Sequence, residues 1–215
     1  MNPSESKSSD DPQKGLEIAL FERTVDWLRW LNQHHAVSDG IWLRLAKKAS
    51  SLKSVTYDEA LEGALCYGWI DGQKKAFDAD SWIQRFTPRR KRSIWSKINR
   101  EKALRLIKDG KMQPSGFAEI ERAKADERWG TAYDSMKNAS VPDDLQLALS
   151  ANPQASEFFA TLNNNNRYAI LFRIQTAKKA ETRARRIEQF ISMLQNHETI
   201  YPQSINAARD MGDEQ

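Results

Sequence analysis

WIDGQKKAFDADSWIQRFTPR, residues 69 to 89, decides how the rest of the chain is read. Two runs, WIDGQKKAF and SWIQRF, are rich in aromatic and β-branched residues. They flank DAD, a turn-forming triplet, and the pattern predicts a β-hairpin. Upstream, GIWLRLAKK, residues 40 to 48, sets Ile41, Leu43 and Leu45 against Trp42, Arg44 and Ala46 in strand period. A third strand should therefore join the hairpin in a small antiparallel sheet.

Helices surround this sheet. From Leu16 to His35, Leu20, Phe21, Val25, Leu28 and Leu31 recur at helical spacing, with Trp27 and Trp30 flanking the stripe, until VSDG breaks it. Thr56 and Glu59 predict a capping box for a helix through Leu65, and Gly68 is a natural stop. After the hairpin, Ser93 is expected to cap a helix to about Asp109, closed by Gly110, and Pro114 to open another that ends near Trp129. Residues 130 to 144 have no period and read as a linker. Beyond it lie helices at about 143 to 150, 154 to 162, 165 to 176 and 181 to 196. Their core is expected from Phe158, Phe159, Leu162, Tyr168, Leu171, Phe172, Ile187, Phe190, Ile191 and Leu194. NNNN, 163 to 166, reads as a short polar turn. The fold class is α+β: an N-terminal domain over 15–130 with the sheet, and a helical domain over 141–202. The polar tails 1–14 and 203–215 should be disordered.

Composition sets wider bounds. Hydrophobic residues make up 40% and charged residues 29%, ordinary for a soluble globular chain. The net charge of +4 is too small by itself to argue for nucleic acid. Cys66 is the single cysteine, so no intramolecular disulfide forms, which suits a reducing compartment. The N-terminus lacks a secretory pattern and no apolar run reaches the length of a membrane span. A cytoplasmic protein with no membrane span is expected. His34, His35 and His197 have no partners at metal-ligand spacing, and there is no CxxC, HExxH, GxGxxG or phosphate-binding P-loop. Neither a metal nor a cofactor is expected.

Three ordered stretches add a resemblance. TYDEALEGALCYGWIDGQ (56 to 73), QRFTPRRKRSIWSKIN (84 to 99) and NRYAILFRIQTAKKAETRARRIEQF (166 to 190) together resemble the YdeI/OmpD-associated proteins, also called bacteriocin-protection proteins. The resemblance runs from about Phe21 to Pro202, and residues 141 to 200 resemble the short domain that names the family. It implies a link to resistance against cationic peptides and to an outer-membrane porin. It supplies no catalytic residues.

Two basic stretches hold the candidate site. Arg89, Arg90, Lys91 and Arg92 fall on a loop after Pro88. With Trp95, and with Ser96 and Asn99 three apart on one helix face, they are the residue types of an anion pocket. Trp95 could stack on a base or a sugar-like ring. Lys178, Lys179 and Arg183 form a second group near the start of the last helix, where cations are unfavourable without an anionic partner. Asp71 and Gln73, beside aromatic residues, are further ligand contacts. Each group has a plainer reading: a solvated charged loop, turn hydrogen bonds, or salt bridges within the fold. The leading function is a non-enzymatic stress or bacteriocin-protection accessory protein. It would bind an unknown anionic ligand or protein partner on a concave surface shared by the two basic groups. The alternatives are a nucleic-acid-binding protein and an enzyme with a pocket around Cys66 and Asp71.

Overall fold

The computed structural model describes residues 15 to 203. The polar segments expected to be disordered lie outside the described residues, apart from Gln203. Among the described residues the chain divides into two compact units. One holds everything up to Trp95 together with Asn99–Thr131; the other holds Ser96–Ile98 and everything from Ala132 on. The fold is α+β.

The first unit is built on the hairpin. β3 (Trp69–Ala76) and β4 (Ser81–Pro88) pair antiparallel, and β2 (Ile41–Ala46) pairs antiparallel with β4 on its other side. The turn closes through Asp78, whose Oδ1 accepts from the backbone N–H groups of Asp80 and Ser81 at 3.0 and 2.7 Å. A carboxylate bonding the backbone two or three residues on is the mechanism by which DAD turns the chain. The register slips between Asp71 and Lys74. There the side-chain amide of Gln84 donates to the Gly72 and Gln73 carbonyls at 2.9 and 3.3 Å, so the bulge keeps its acceptors satisfied.

The sheet also holds a strand the helical periodicity hid. β1 (Ile18–Ala19) runs parallel to β2, giving the order β1-β2-β4-β3, and α1 begins only at Thr24 and ends at His34. The helix expected from Leu16 loses its first turns because the Glu17 carbonyl accepts from Trp42 N–H at 2.9 Å and the Phe21 carbonyl from Val55 N–H at 2.8 Å. These are distant partners that outcompete local helix. The stripe also turns: Val25 is half exposed, while Trp27 and Leu31 are fully buried. Trp27 seals the joint with α2 (Tyr57–Cys66), its indole N–H donating to the Ala60 carbonyl at 3.0 Å.

α2 carries the expected capping box. Glu59 N–H donates to Thr56 Oγ1, and Glu59 Oε2 accepts from Thr56 N–H at 2.8 Å. Gly68 ends the helix at φ +75°, where a Cβ would sit 2.9 Å from the Ser115 carbonyl oxygen. Glycine at this point lets α4 (Pro114–Ala125) lie against the end of α2. α3 (Lys97–Lys108) starts three residues later than a Ser93 cap would require. Ser93 Oγ instead accepts from Arg90 N–H at 3.0 Å and closes the loop before the helix.

In the second unit, α5 (Asp143–Ser150), α6 (Pro153–Thr161), α7 (Asn164–Gln175) and α8 (Ala180–Gln195) enclose one core. Phe158, Phe159, Leu162, Leu171, Ile187, Ile191 and Leu194 are buried in it as expected, joined by Leu145, Leu149, Ile170 and Ile174. Tyr168 and Phe172 are only half buried. The Tyr168 hydroxyl donates to the Asp134 carbonyl at 2.9 Å, and burial pushes its pKa up to about 12. The NNNN run does more than turn the chain. Asn163 Oδ1 caps α7 by accepting from Asn166 N–H at 2.9 Å. Asn166 is fully buried and clamps the segment after α8: its amide donates to Tyr201 O and Gln203 Oε1, both at 3.0 Å, and its oxygen accepts from Tyr201 N–H at 2.8 Å.

Candidate functional site

The basic loop after β4 turns one of its arginines inward. Arg89 is only 5% exposed; its guanidinium lies 3.5 Å from the centroid of the Trp95 ring and donates to the Ile94 carbonyl at 3.3 Å. Trp95 is itself 1% exposed and meets Trp129 edge-on at 4.9 Å. A cation stacked on a desolvated indole is among the stronger contacts of its kind. It also means that neither Arg89 nor Trp95 presents a free face to a base or sugar.

Two more arginines hold the loop backbone. Arg122, on α4, donates to the Arg89 and Arg90 carbonyls at 3.3 and 3.2 Å and pairs with Glu119. Arg128, after α4 and almost fully buried, donates to the Ser93 carbonyl and pairs with Asp126 at 2.7 Å. Burial raises the Glu119 pKa, against the pull of Arg122, Arg89 and Arg128 in the other direction. Guanidinium groups thus reach the Arg89 and Ser93 carbonyls, and add a second bond to the Arg90 carbonyl, which already accepts from Ser93 N–H at 2.9 Å. What the clamp leaves outward is Arg90, Lys91 and Arg92, all exposed, with Ile94 39% exposed beside them.

The other expected residues scatter. Ser96 is buried just before α3, and its backbone forms a bridge with Tyr133. Asn99 is half buried on α3 and groups with the first unit, whereas Ser96 groups with the second. Asp71 is half buried and accepts from the Tyr57 hydroxyl at 2.8 Å. Gln73 lies in the exposed bulge. Asp71 is therefore tied into the α2–sheet joint, and it does not line the cleft that holds Cys66.

That cleft has a volume of about 420 Å³ and lies among α1, α2, the end of α3 and the segment leading into α4. Cys66 is 5% exposed on its wall, and burial pushes its thiol up to about 11, with Glu62 adding to the rise. At neutral pH it is a protonated thiol and a poor nucleophile. Asp71, paired with Tyr57, does not stand beside this thiol in the cleft. Among the described residues no group of three His, Cys, Asp or Glu is placed to hold a metal ion, and no helix is long and apolar enough to cross a membrane.

The second basic group sits on α7, α8 and their connection. Arg183 grips Asp144 with two bonds of 2.6 and 2.8 Å and donates to the Ile174 carbonyl at 2.9 Å. This holds the Asp144 carboxyl below its usual range. Arg173 donates to the Ala169 carbonyl, Arg186 donates to the Arg173 carbonyl, and Arg167 lies over the Phe159 ring at 4.5 Å. Lys178 and Lys179 remain exposed, with Lys179 at the N-cap of α8, where its side chain caps nothing.

Residues 138–197 match the family described as bacteriocin-protection, YdeI or OmpD-associated. This segment is similar to that family's domain, OmdA. Its bounds enclose α5 to α8 and the whole second basic group. Residues 19–119, which hold the sheet and the loop, match a separate domain of unknown function, DUF8412. The family match is thus narrower than the stretch from Phe21 to Pro202 that the motifs suggested. No curated protein and no solved structure matches the chain. In this segment the sequence pointed to Arg183 but not to its partner. Asp144 lies 39 positions away, and no local spacing links the two.

Proposed function

We propose that the protein is a non-enzymatic accessory factor in protection against bacteriocins and that it engages an anionic ligand or partner through Arg90, Lys91 and Arg92. The OmdA match over 138–197 supports the general role. The observation that carries the finer reading is the clamp of Arg122 and Arg128 on the loop carbonyls, which leaves three consecutive cations facing solvent on a braced backbone. Bracing reduces the entropy lost when a partner binds. A basic surface repels cationic peptides, so protection runs through something negative rather than by direct capture. In the second unit, Lys178 and Lys179 are exposed, while Arg183 is committed to Asp144. A lone buried thiol suits a reducing compartment, and the reading places the protein in the cytoplasm.

Burial of Trp95 removes the stacking platform that a reader of single-stranded nucleic acid would use, which weakens that alternative. The deciding experiment is a thermal-shift series with inorganic polyphosphate, sugar phosphates, oligonucleotides and an acidic peptide. One of these should raise the melting temperature, and Arg90→Ala/Lys91→Ala/Arg92→Ala should abolish the shift without lowering the unliganded value. A variant that keeps every shift, and protects cells against bacteriocin as well as the parent, ends the proposal. A steep loss of binding with salt, seen with oligonucleotides only, would restore the nucleic-acid reading.

A further inference from the structure

The cleft beside Cys66 is a second place for a ligand, independent of the basic loop. Its size falls within the range of small-molecule sites. Leu28 and Leu106 supply an apolar floor, and Gly63 brings α1 close: a Cβ there would meet Trp27 Nε1 at 2.9 Å and Leu28 Cδ2 at 3.1 Å. The polar groups around the floor differ in how far they are already engaged.

Both carboxylates are occupied. Glu59 accepts from the Thr24 hydroxyl on one oxygen and from Thr56 on the other. These bonds hold its pKa low. Glu62 pairs with Arg105 and Lys102, and Lys102 is shared with Asp58. Among the described residues, Lys111 has no ion pair and the Tyr67 hydroxyl has no hydrogen-bond partner; both line the cleft. The uncommitted groups thus include two donors, Lys111 and the Tyr67 hydroxyl, one of them charged, over an apolar surface, beside the side-chain oxygen of Gln113, whose amide N–H donates to the Lys111 carbonyl at 3.0 Å. Such a set fits a ligand that brings an acceptor and a hydrocarbon body. In and around the cleft the three carboxylates Asp58, Glu59 and Glu62 are matched in number by the three cations Lys102, Arg105 and Lys111. The surroundings are balanced, so a single negative charge costs less to admit than two.

We propose that this cleft binds a small monocarboxylic acid with an apolar body, its carboxylate meeting Lys111 and Tyr67 and its chain lying on Leu28 and Leu106. Cys66 on the wall is a built-in reporter. Bound acid shields the thiol from alkylation.

The test uses octanoate, octylamine and octanol on the full chain. Two readouts are taken: melting temperature, and the rate of Cys66 alkylation by N-ethylmaleimide at pH 8.5, followed by intact mass. Octanoate should raise the melting temperature, and at ten times its Kd it should slow alkylation about tenfold. Lys111→Glu, at an exposed side chain with no ion pair, should remove both effects and leave the unliganded melting temperature unchanged. Arg90→Ala/Lys91→Ala/Arg92→Ala should keep both effects, which separates this site from the basic loop. The proposal fails if octylamine or octanol matches octanoate, if Lys111→Glu still responds, or if octanoate gives no thermal shift at millimolar concentration.

Discussion

The loop after β4 and the connection between α7 and α8 are both dense in arginine and lysine, and they use that charge differently. In the loop, guanidinium groups reach backbone carbonyls and an indole: Arg122 and Arg128 hold the chain from outside it, and Arg89 is buried on Trp95. In the helical connection Arg183 and Arg186 also reach carbonyls, but from partly exposed positions, and Arg183 grips Asp144 in an ion pair at the surface. Arg89 and Arg128 act in a dry setting, where losing Arg128 leaves the Ser93 carbonyl orphaned. The helical pair is solvated, where losing one partner costs little. A run of cations in a sequence thus says nothing about which of them are free. Their partners decide.

The contrast can be broken most sharply at its centre. Trp95→Ala removes a fully buried indole and the seat of Arg89, and should destabilise the protein by about 3–5 kcal/mol in urea unfolding. A loss under 1 kcal/mol would mean that the loop is not built on that ring. Arg128→Ala orphans the Ser93 carbonyl in a buried setting and should cost about 2–3 kcal/mol. It should also speed proteolysis within 89–95, read by mass spectrometry. Arg183→Ala should cost only about 1 kcal/mol, because both partners of the pair are partly exposed. The pH dependence has a definite sign. Asp144 has a folded pKa below its ordinary 3.8, so the pair's contribution is present above that value and lost as pH falls through the lowered one. Arg183→Ala should therefore show its full loss of about 1 kcal/mol at neutral pH and converge with the parent as pH falls below the lowered value, which flattens the acid limb of the stability curve. Lys179→Asp places a capping carboxylate at the N-cap of α8 and should stabilise by about 0.5–1 kcal/mol. The smallest effect belongs to Arg90→Ala/Lys91→Ala/Arg92→Ala. It should move stability by less than about 0.5 kcal/mol, since these side chains are exposed and make no contacts the fold needs.

These outcomes map onto what could be read beforehand. The hairpin, the Thr56–Glu59 box and the spans of α5 to α8, each within one residue, were legible because each depends on neighbours in the chain. β1 was not, because Ile18 and Ala19 pair with residues 24 positions away, and the local apolar spacing favoured helix. The residue types of the basic loop were visible, but not its inward turn: Arg122 and Arg128 lie about 30 positions downstream of the carbonyls they hold. Ser93 was given a helix to cap and caps a loop instead. The cleft beside Cys66 joins α1, α2 and the end of α3, and only the fold brings Lys111 to it.

The Asn166 clamp bears on how the chain tolerates trimming. Gln203 Oε1 accepts from both the Asn163 N–H and the Asn166 amide, and Tyr201 supplies the other two bonds of the buried side chain. Gln203→Ala should therefore lower the melting temperature, because it removes the acceptor shared by Asn163 and Asn166. An affinity tag belongs beyond that residue, because a shorter version ending before Tyr201 would leave a primary amide stranded in a hydrocarbon interior.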